Sequence, residues 1–274
     1  MIPAGEAQKP IGVFDSGLGG LTVLKAIMSR LPHENTVYFG DSGRAPYGMK
    51  SPETIVKFSR QNMRFLQEQK VKMIVIACNT ASSCAYEDIR EKAGVPVVEV
   101  VAPGAREAVR RTRNGRIGVI GTRGTVDSAV YIRAIKRYAP DDIFIAQQAC
   151  PLFVGLAEEG WWTGDITRQV AEIYLAPLLK QQIDTLVLGC THYPLLAGLI
   201  AKTAGPDVCL INAGNNVADE VWQTLASAGL LNEDAGTAGH AYYTSDSVQQ
   251  FKRLGGAFLA QPIVQAERID IEQY

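Results

Sequence analysis

Short runs of consecutive apolar residues, many of them β-branched, alternate along nearly the whole chain with stretches in which apolar residues recur every three or four positions. A continuous apolar run suits a strand buried on both faces, and the longer period suits one face of a helix. The runs predict strands at Ile11–Phe14, Thr36–Phe39, Met73–Ala77, Val95–Val101, Ile117–Ile120, Ile143–Ala146, Thr185–Gly189, Val208–Ile211 and Ala241–Thr244. Between them, Ile55, Phe58, Phe65 and Leu66 fall on one face of a helix. Val170, Ile173, Tyr174 and Leu178 fall on one face of another, with Asp165 as its expected cap. Such alternation predicts an α/β fold with central, mostly parallel sheets.

The pattern repeats. "IGVFDSGLGG" (Ile11 to Gly20) and "IGVIGTRGTV" (Ile117 to Val126) each read as a strand, a polar turn and the start of a helix. Each is followed further on by a strand that ends in cysteine, "MIVIACNTAS" (Met73 to Ser82) and "TLVLGCTHYP" (Thr185 to Pro194). Two pseudo-symmetric α/β domains explain the echo. The tail "AYYTSDSVQQFKRLGG" reads as a strand, a turn and a helix capped by Ser245 or Asp246, and is expected to return to the first domain. This predicts a discontinuous first domain, 1–101 with 214–274, and a second domain, 102–213.

At 274 residues the chain has room for two modest cores. A net charge of −1 argues against an electrostatic grip on nucleic acid. Arg110, Arg111, Arg113 and Arg116 form one basic knot, which reads as a solvated helix end and loop. No apolar run approaches a membrane span, and the N-terminus lacks the basic and apolar pattern of a secretory leader. Five cysteines without framework spacing suit free thiols in a reducing cytoplasm.

Chemistry converges where the strands end. In open α/β sheets, ligands bind at the carboxyl ends of the strands, and Cys78 and Cys190 both stand there. "ASSCAYEDIREKAG" predicts a helix starting just after Cys78, and a helix start favours thiolate and offers free N–H groups to carboxylates. Ser16, Ser42, Asn79, Thr80 and Thr191 add neutral hydrogen-bonding groups to the rim. Two opposed thiols suit removal of a proton from one face of a carbon and its delivery to the other.

The motifs "IGVFDSGLGGLTV", "GDSGRAPYG", "ACNTAS", "ACPLFVGLAEEG" and "GCTHYPLL", spread from Ile11 to Leu196, together resemble the glutamate racemases. That resemblance implies two α/β domains with the site in the cleft between them. It implies cofactor-independent racemisation that supplies D-glutamate for peptidoglycan, and a homodimer. It implies catalytic cysteines at Cys78, serving the D-enantiomer, and Cys190, serving the L-enantiomer. Asp15 and His192 would assist them, with Glu158 more peripheral. Substrate-binding positions would be Asp15, Ser16, Tyr47, Gly48, Asn79, Thr80, Thr191 and His192, with Thr122 and Thr125 adding contacts.

Plainer readings stand beside these. A buried cysteine is commonly inert packing, and Cys84, Cys150 and Cys209 are read that way. Asp15 could shape its turn or cap a helix over Leu18–Leu31. Glu158 and Glu159 could be a solvated helix end. The glycines of "SGLGGLTV" lack the GxGxxG spacing of a nucleotide loop, and Cys190 with His192 falls short of a metal set, so neither cofactor nor metal is expected. An aspartate racemase of the same superfamily, or a non-catalytic two-lobed amino-acid-binding protein, are the alternatives.

Overall fold

The computed structural model describes residues 5–234 and 236–274. The chain divides into two units, one comprising the chain up to Val100 with Gly214–Tyr274, the other Val101–Ala213.

The first unit begins β1 (Ile11–Asp15), α1 (Leu21–Arg30), β2 (Thr36–Gly40), α2 (Pro52–Glu68), β3 (Met73–Ile76), α3 (Asn79–Lys92) and β4 (Val97–Glu99). Two 3-10 turns, Ser42–Arg44 and Tyr47–Met49, lie between β2 and α2. Every residue of β1, β2 and β3 is buried, as unbroken apolar runs require. The helix start at α2 is strongly written: Ser51 Oγ accepts the Thr54 N–H at 3.3 Å, and Pro52 occupies the first position, where no N–H is needed. Its inner face packs Ile55, Met63, Phe65 and Leu66 on the sheet.

The second unit runs α4 (Val101–Arg111), β5 (Arg116–Gly121), α5 (Arg123–Asp127), α6 (Val130–Lys136), β6 (Phe144–Ala149), α7 (Leu152–Glu158), α8 (Asp165–Leu179), β7 (Thr185–Gly189), α9 (Ala197–Ala204) and β8 (Cys209–Ile211). The chain then completes the first unit with α10 (Gly214–Ala228), β9 (His240–Thr244), α11 (Val248–Leu259) and β10 (Glu267–Arg268).

The first sheet has the order β10-β9-β2-β1-β3-β4 and the second β6-β5-β7-β8, with every pairing parallel. The echo in the sequence is therefore an echo in topology, since β2-β1-β3-β4 and β6-β5-β7-β8 follow one scheme. Gly12 and Gly118 hold the same place in it. A Cβ on Gly12 would lie 2.9 Å from Val71 Cγ1, and one on Gly118 would lie 2.5 Å from Ile183 Cδ1. In both sheets a glycine thus makes room for the aliphatic residue that leads into a neighbouring strand, β3 in the first and β7 in the second.

Several expected boundaries are corrected. The strand expected over Val95–Val101 is only Val97–Glu99, because Val101 already opens α4. The helix expected over Leu18–Leu31 spans Leu21–Arg30, and Asp15 shapes the turn before it. Asp165 is the first residue of α8 and makes no side-chain cap, Gly164 being the N-cap. In the tail the cap is Ser247, whose Oγ accepts the Gln250 N–H at 3.3 Å, and neither Ser245 nor Asp246 serves. The expected inner face of α8 is also wrong at Ile173, which is 70% exposed. Thr167, Ala171, Leu175 and Leu178 form the buried stripe, at a spacing where small residues allow close packing.

Candidate active site

Strand register places the polar turns of the first unit. Ile11 pairs with Met73, so five positions on, Ser16 comes level with Cys78. The Cys78 thiol lies 3.5 Å from Ser16 Oγ and is the donor in that contact. Cys78 is also the N-cap of α3, and its sulfur accepts the backbone N–H of Ala81 at 3.4 Å. That N–H belongs to the positive end of a fourteen-residue helix, a field that favours negative charge on the sulfur. Asn79 and Thr80 form the first helical turn and are buried beside it.

Asp15, fully buried at the end of β1, accepts the Gly17 N–H on Oδ2 at 3.0 Å, and this holds the turn that carries Ser16. Tyr38 braces the same turn from β2 through a 2.8 Å bond to the Gly17 carbonyl. Burial first, then the charges of Asp15 and Cys78, push the Tyr38 phenol well above its ordinary pKa, so it stays a neutral donor. The expected rim residue Ser42 has Oγ 2.6 Å from Thr244 Oγ1, which joins the ends of β2 and β9. Tyr47 is buried, donates its hydroxyl to Asp41 and accepts from Asn62 Nδ2 at 3.1 Å. What Tyr47 and Gly48 can present to a ligand is therefore backbone.

In the second unit, Ile117 pairs with Thr185, so Thr122 comes level with Cys190 as Ser16 does with Cys78. Thr122 caps α5, accepting the Thr125 N–H at 3.3 Å, and the two hydroxyl oxygens lie 3.1 Å apart. Cys190, Thr191 and His192 are all buried, and lead into a 3-10 turn at Tyr193–Leu196. Here an imidazole faces the cysteine. Cys190 Sγ lies 3.7 Å from His192 Nδ1, and His192 Nε2 lies 3.0 Å from Oε1 of Glu158, the last residue of α7. Burial opposes a charge on the ring, but Cys190 and Glu158 outweigh it and lift the His192 pKa to about 10. The ring thus holds its proton beside the sulfur at neutral pH.

The structure brings the expected residues together in two sets, Asp15, Ser16, Cys78, Asn79 and Thr80 in one unit and Glu158, Cys190, Thr191 and His192 in the other. Glu158, expected in a more peripheral place, is a direct hydrogen-bonding partner of His192. Cys150, read as inert, is fully buried beneath this set, and burial followed by the charge of Cys190 pushes its thiol strongly up, which keeps it protonated. Sequence reasoning missed Tyr38 and Asp41. Tyr38 could have been found, since a tyrosine inside a buried strand needs a partner for its hydroxyl. Among the described residues, no group of three or more His, Cys, Asp and Glu side chains is arranged to hold a metal ion.

Chemically, each set can hold one thiol or thiolate beside groups that steady either form. The family described as Asp/Glu/Hydantoin racemase matches residues 15–219. The chain is 46% identical to a glutamate racemase of Geobacter metallireducens over 96% of this chain and 97% of that one. It is 48% identical to a glutamate racemase of Neisseria meningitidis serogroup A, over the same shares. The crystal structure of glutamate racemase from Francisella tularensis in complex with D-glutamate is similar at a TM-score of 0.92 and 38% identity, covering 98% of this chain and all of that one. With the same α/β architecture and with identity spread over almost its full length, the chain belongs to the Asp/Glu/Hydantoin racemase family and, within it, to the glutamate racemases, which are isomerases.

Proposed function

We propose that this chain interconverts L- and D-glutamate by direct proton transfer at the α-carbon, with Cys78 and Cys190 as the two bases and no cofactor. The observation that carries this reading is the equal register of the two cysteines, each just past the carboxyl end of an inner strand of a repeated sheet scheme, Cys78 level with Ser16 and Cys190 level with Thr122. A reaction that runs alike in both directions is matched by two like groups. With L-glutamate bound, Cys190 as thiolate takes the α-proton, and its sulfur becomes a thiol as the C–H electron pair stays on carbon. Cys78 as thiol then protonates the opposite face and is left as thiolate. The reverse reaction exchanges the roles, and no net proton is consumed.

The difficult species is a carbanion next to a carboxylate, which fixed N–H donors and positive charge must stabilise. The N-terminus of α3 with Asn79 and Thr80, the backbone of Tyr47 and Gly48, and Thr191 supply donors, and His192 supplies charge. Asp15 and Ser16 order the side served by Cys78. Thr122 and Thr125 contribute hydroxyls near Cys190, and Ser42 contributes through the wall it forms with Thr244. D-glutamate made in this way would feed peptidoglycan synthesis in the cytoplasm, a setting that suits five free thiols. Among the described residues no helix is long and apolar enough to cross a membrane. Assembly as a homodimer is part of the proposal, and the apolar side chains exposed on the second unit, Trp161, Ile166 and Ile173, are available for it.

The test is incubation with L-glutamate in D₂O, following optical activity and deuterium at the α-carbon of each enantiomer. D-glutamate that carries solvent deuterium, while early unreacted L-glutamate keeps its protium, is the expected result. A flat optical signal with no deuterium incorporation would refute the reading. A higher rate on aspartate would move the substrate assignment to the shorter acid.

A further inference from the structure

Arg44 has no part in the proton transfer above, yet it is among the most heavily bonded side chains of the first unit. It sits on the 3-10 turn Ser42–Arg44, and its side chain is 12% exposed. Its Nε and Nη2 atoms grip Asp41 Oδ2 at 2.8 and 2.7 Å. Nη1 donates to Gln61 Oε1 at 2.6 Å and to Glu272 Oε1 at 3.0 Å, and Nη2 donates to Asn62 Oδ1 at 3.2 Å. The guanidinium stacks on Phe58, 4.0 Å from the ring centroid.

Three of these partners also hold Tyr47. Asp41 accepts its hydroxyl, Asn62 donates to the same oxygen, and the Phe58 ring lies 5.6 Å from its ring, centroid to centroid. Because the Tyr47 side chain is fully committed, the backbone that Tyr47 and Gly48 offer stands wherever this anchor puts it. Arg44 clamps the anchor from outside. Its outermost partner, Glu272, belongs to the turn Ile271–Gln273, which is docked on α2 through Gln61 Nε2 to the Ile271 carbonyl at 3.4 Å and Arg64 Nη1 to the Tyr274 carbonyl at 2.6 Å.

The geometry points to Arg44 as a positioning residue for substrate binding, with Glu272 as a latch through which the turn at Ile271–Gln273 fixes the Tyr47–Gly48 backbone. This rests on the reading that Tyr47 and Gly48 bind glutamate. Arg44 touches no reacting atom, and its effect passes through Asp41, Asn62 and Phe58.

The decisive variant is Glu272→Gln, because Glu272 is 58% exposed and its loss leaves Asp41 paired. It should raise KM for both enantiomers by about threefold to tenfold and change kcat by less than about twofold, the signature of a displaced binding group. Amide hydrogen exchange at Tyr47–Lys50 should accelerate with no matching change in the strands, and Glu272→Asp should restore part of the lost affinity. Arg44→Met should lower kcat/KM by on the order of 100-fold where it folds. Unchanged KM in Glu272→Gln overturns the proposal, whether or not exchange accelerates, and so does unchanged exchange at Tyr47–Lys50. A wild-type enzyme that fails to racemise glutamate would overturn the substrate reading instead, an outcome distinct from an active enzyme whose KM ignores Glu272.

Discussion

His192 Nε2 lies 3.0 Å from Glu158 Oε1, while Nδ1 of the same ring faces the sulfur of Cys190 at 3.7 Å. Burial by itself would strip the proton from this ring, and the two partners reverse that, raising its pKa from 6.5 to about 10. Between those values the folded ring keeps a proton that the unfolded chain has lost. The stabilisation is therefore full below about pH 6.5 and is lost as pH rises through about 10. The difference in unfolding free energy between the wild type and His192→Asn should shrink across that window, by at most about 1.4 kcal/mol per pH unit. Glu158→Gln should move the upper end of the window to lower pH, as read by NMR titration of the His192 ring. A difference that stays flat from pH 6.5 to 10 would contradict this account.

The two cysteines are steadied by different means, Cys78 by the Ala81 N–H at a helix start and Cys190 by His192. Under the two-base reading each is still indispensable in both directions. Cys78→Ser and Cys190→Ser should each reduce racemisation by on the order of 10³-fold, the scale of a lost general base. Neither should unfold the chain, since serine is close in volume to cysteine. Glu158→Gln should weaken turnover much less, and chiefly in the direction that starts from L-glutamate. Optical rotation assays from both enantiomers, with circular dichroism as the folding control, decide it. Near-normal turnover in either serine variant would exclude the two-thiol mechanism.

The strands were legible because parallel strands covered on both faces need unbroken apolar runs, as Ile11–Phe14 and Met73–Ala77 show. The cysteines stood out because each interrupts such a run where the sheet ends. Helix limits were less legible. Ser245, Asp246 and Ser247 are all competent caps, and tertiary packing chose Ser247. Ile173 misled because α8 carries apolar residues on more than one face, and periodicity cannot say which face meets the sheet. The Arg44 cluster was invisible for another reason. Asp41 is close in sequence, but the other four partners, Phe58, Gln61 and Asn62 of α2 and Glu272 of the turn Ile271–Gln273, are distant, and no local pattern announces a guanidinium with five side chains around it. His192 with Glu158 was legible only through the family motifs, since a loop histidine and a helix-end glutamate carry no mutual signal.

Gly20 offers a test of how tightly Asp15 must be held. A Cβ at this position would lie 2.5 Å from Asp15 Cβ and 3.0 Å from Ala77 Cβ, both attached to rigid strand ends. Gly20→Ala should cost about 1–3 kcal/mol of stability through overpacking. It should also lower kcat/KM, because the displaced carboxylate drags the Ser16–Gly17 turn with it. Gly198→Ala is the control, as a Cβ there meets nothing within 4 Å. Equal melting temperatures and equal kinetics for the two variants would show that the Asp15 turn yields without consequence.

Lys72, one residue before β3, donates to Glu34 Oε2 at 2.5 Å, and the two side chains are only 1% and 2% exposed. The same ammonium reaches the carbonyls of Ala7 at 2.5 Å and Leu230 at 2.8 Å, while Glu34 Oε1 accepts the Asn232 N–H at 2.8 Å. One ion pair therefore ties the leading segment, the turn before β2, the start of β3 and the end of α10. Removing one partner of a buried pair strands the other charge, so Lys72→Met should destabilise the fold by about 3–5 kcal/mol. Adding Glu34→Gln should recover part of that loss, since the stranded carboxylate is gone, but not all of it, since the two carbonyls still lack their donor. Denaturant melts of the wild type, both single variants and the double variant form the cycle that measures it. A cost below about 1 kcal/mol for Lys72→Met would mean that water or a neighbouring group replaces the ammonium, and that this ion pair is not what holds the four segments together.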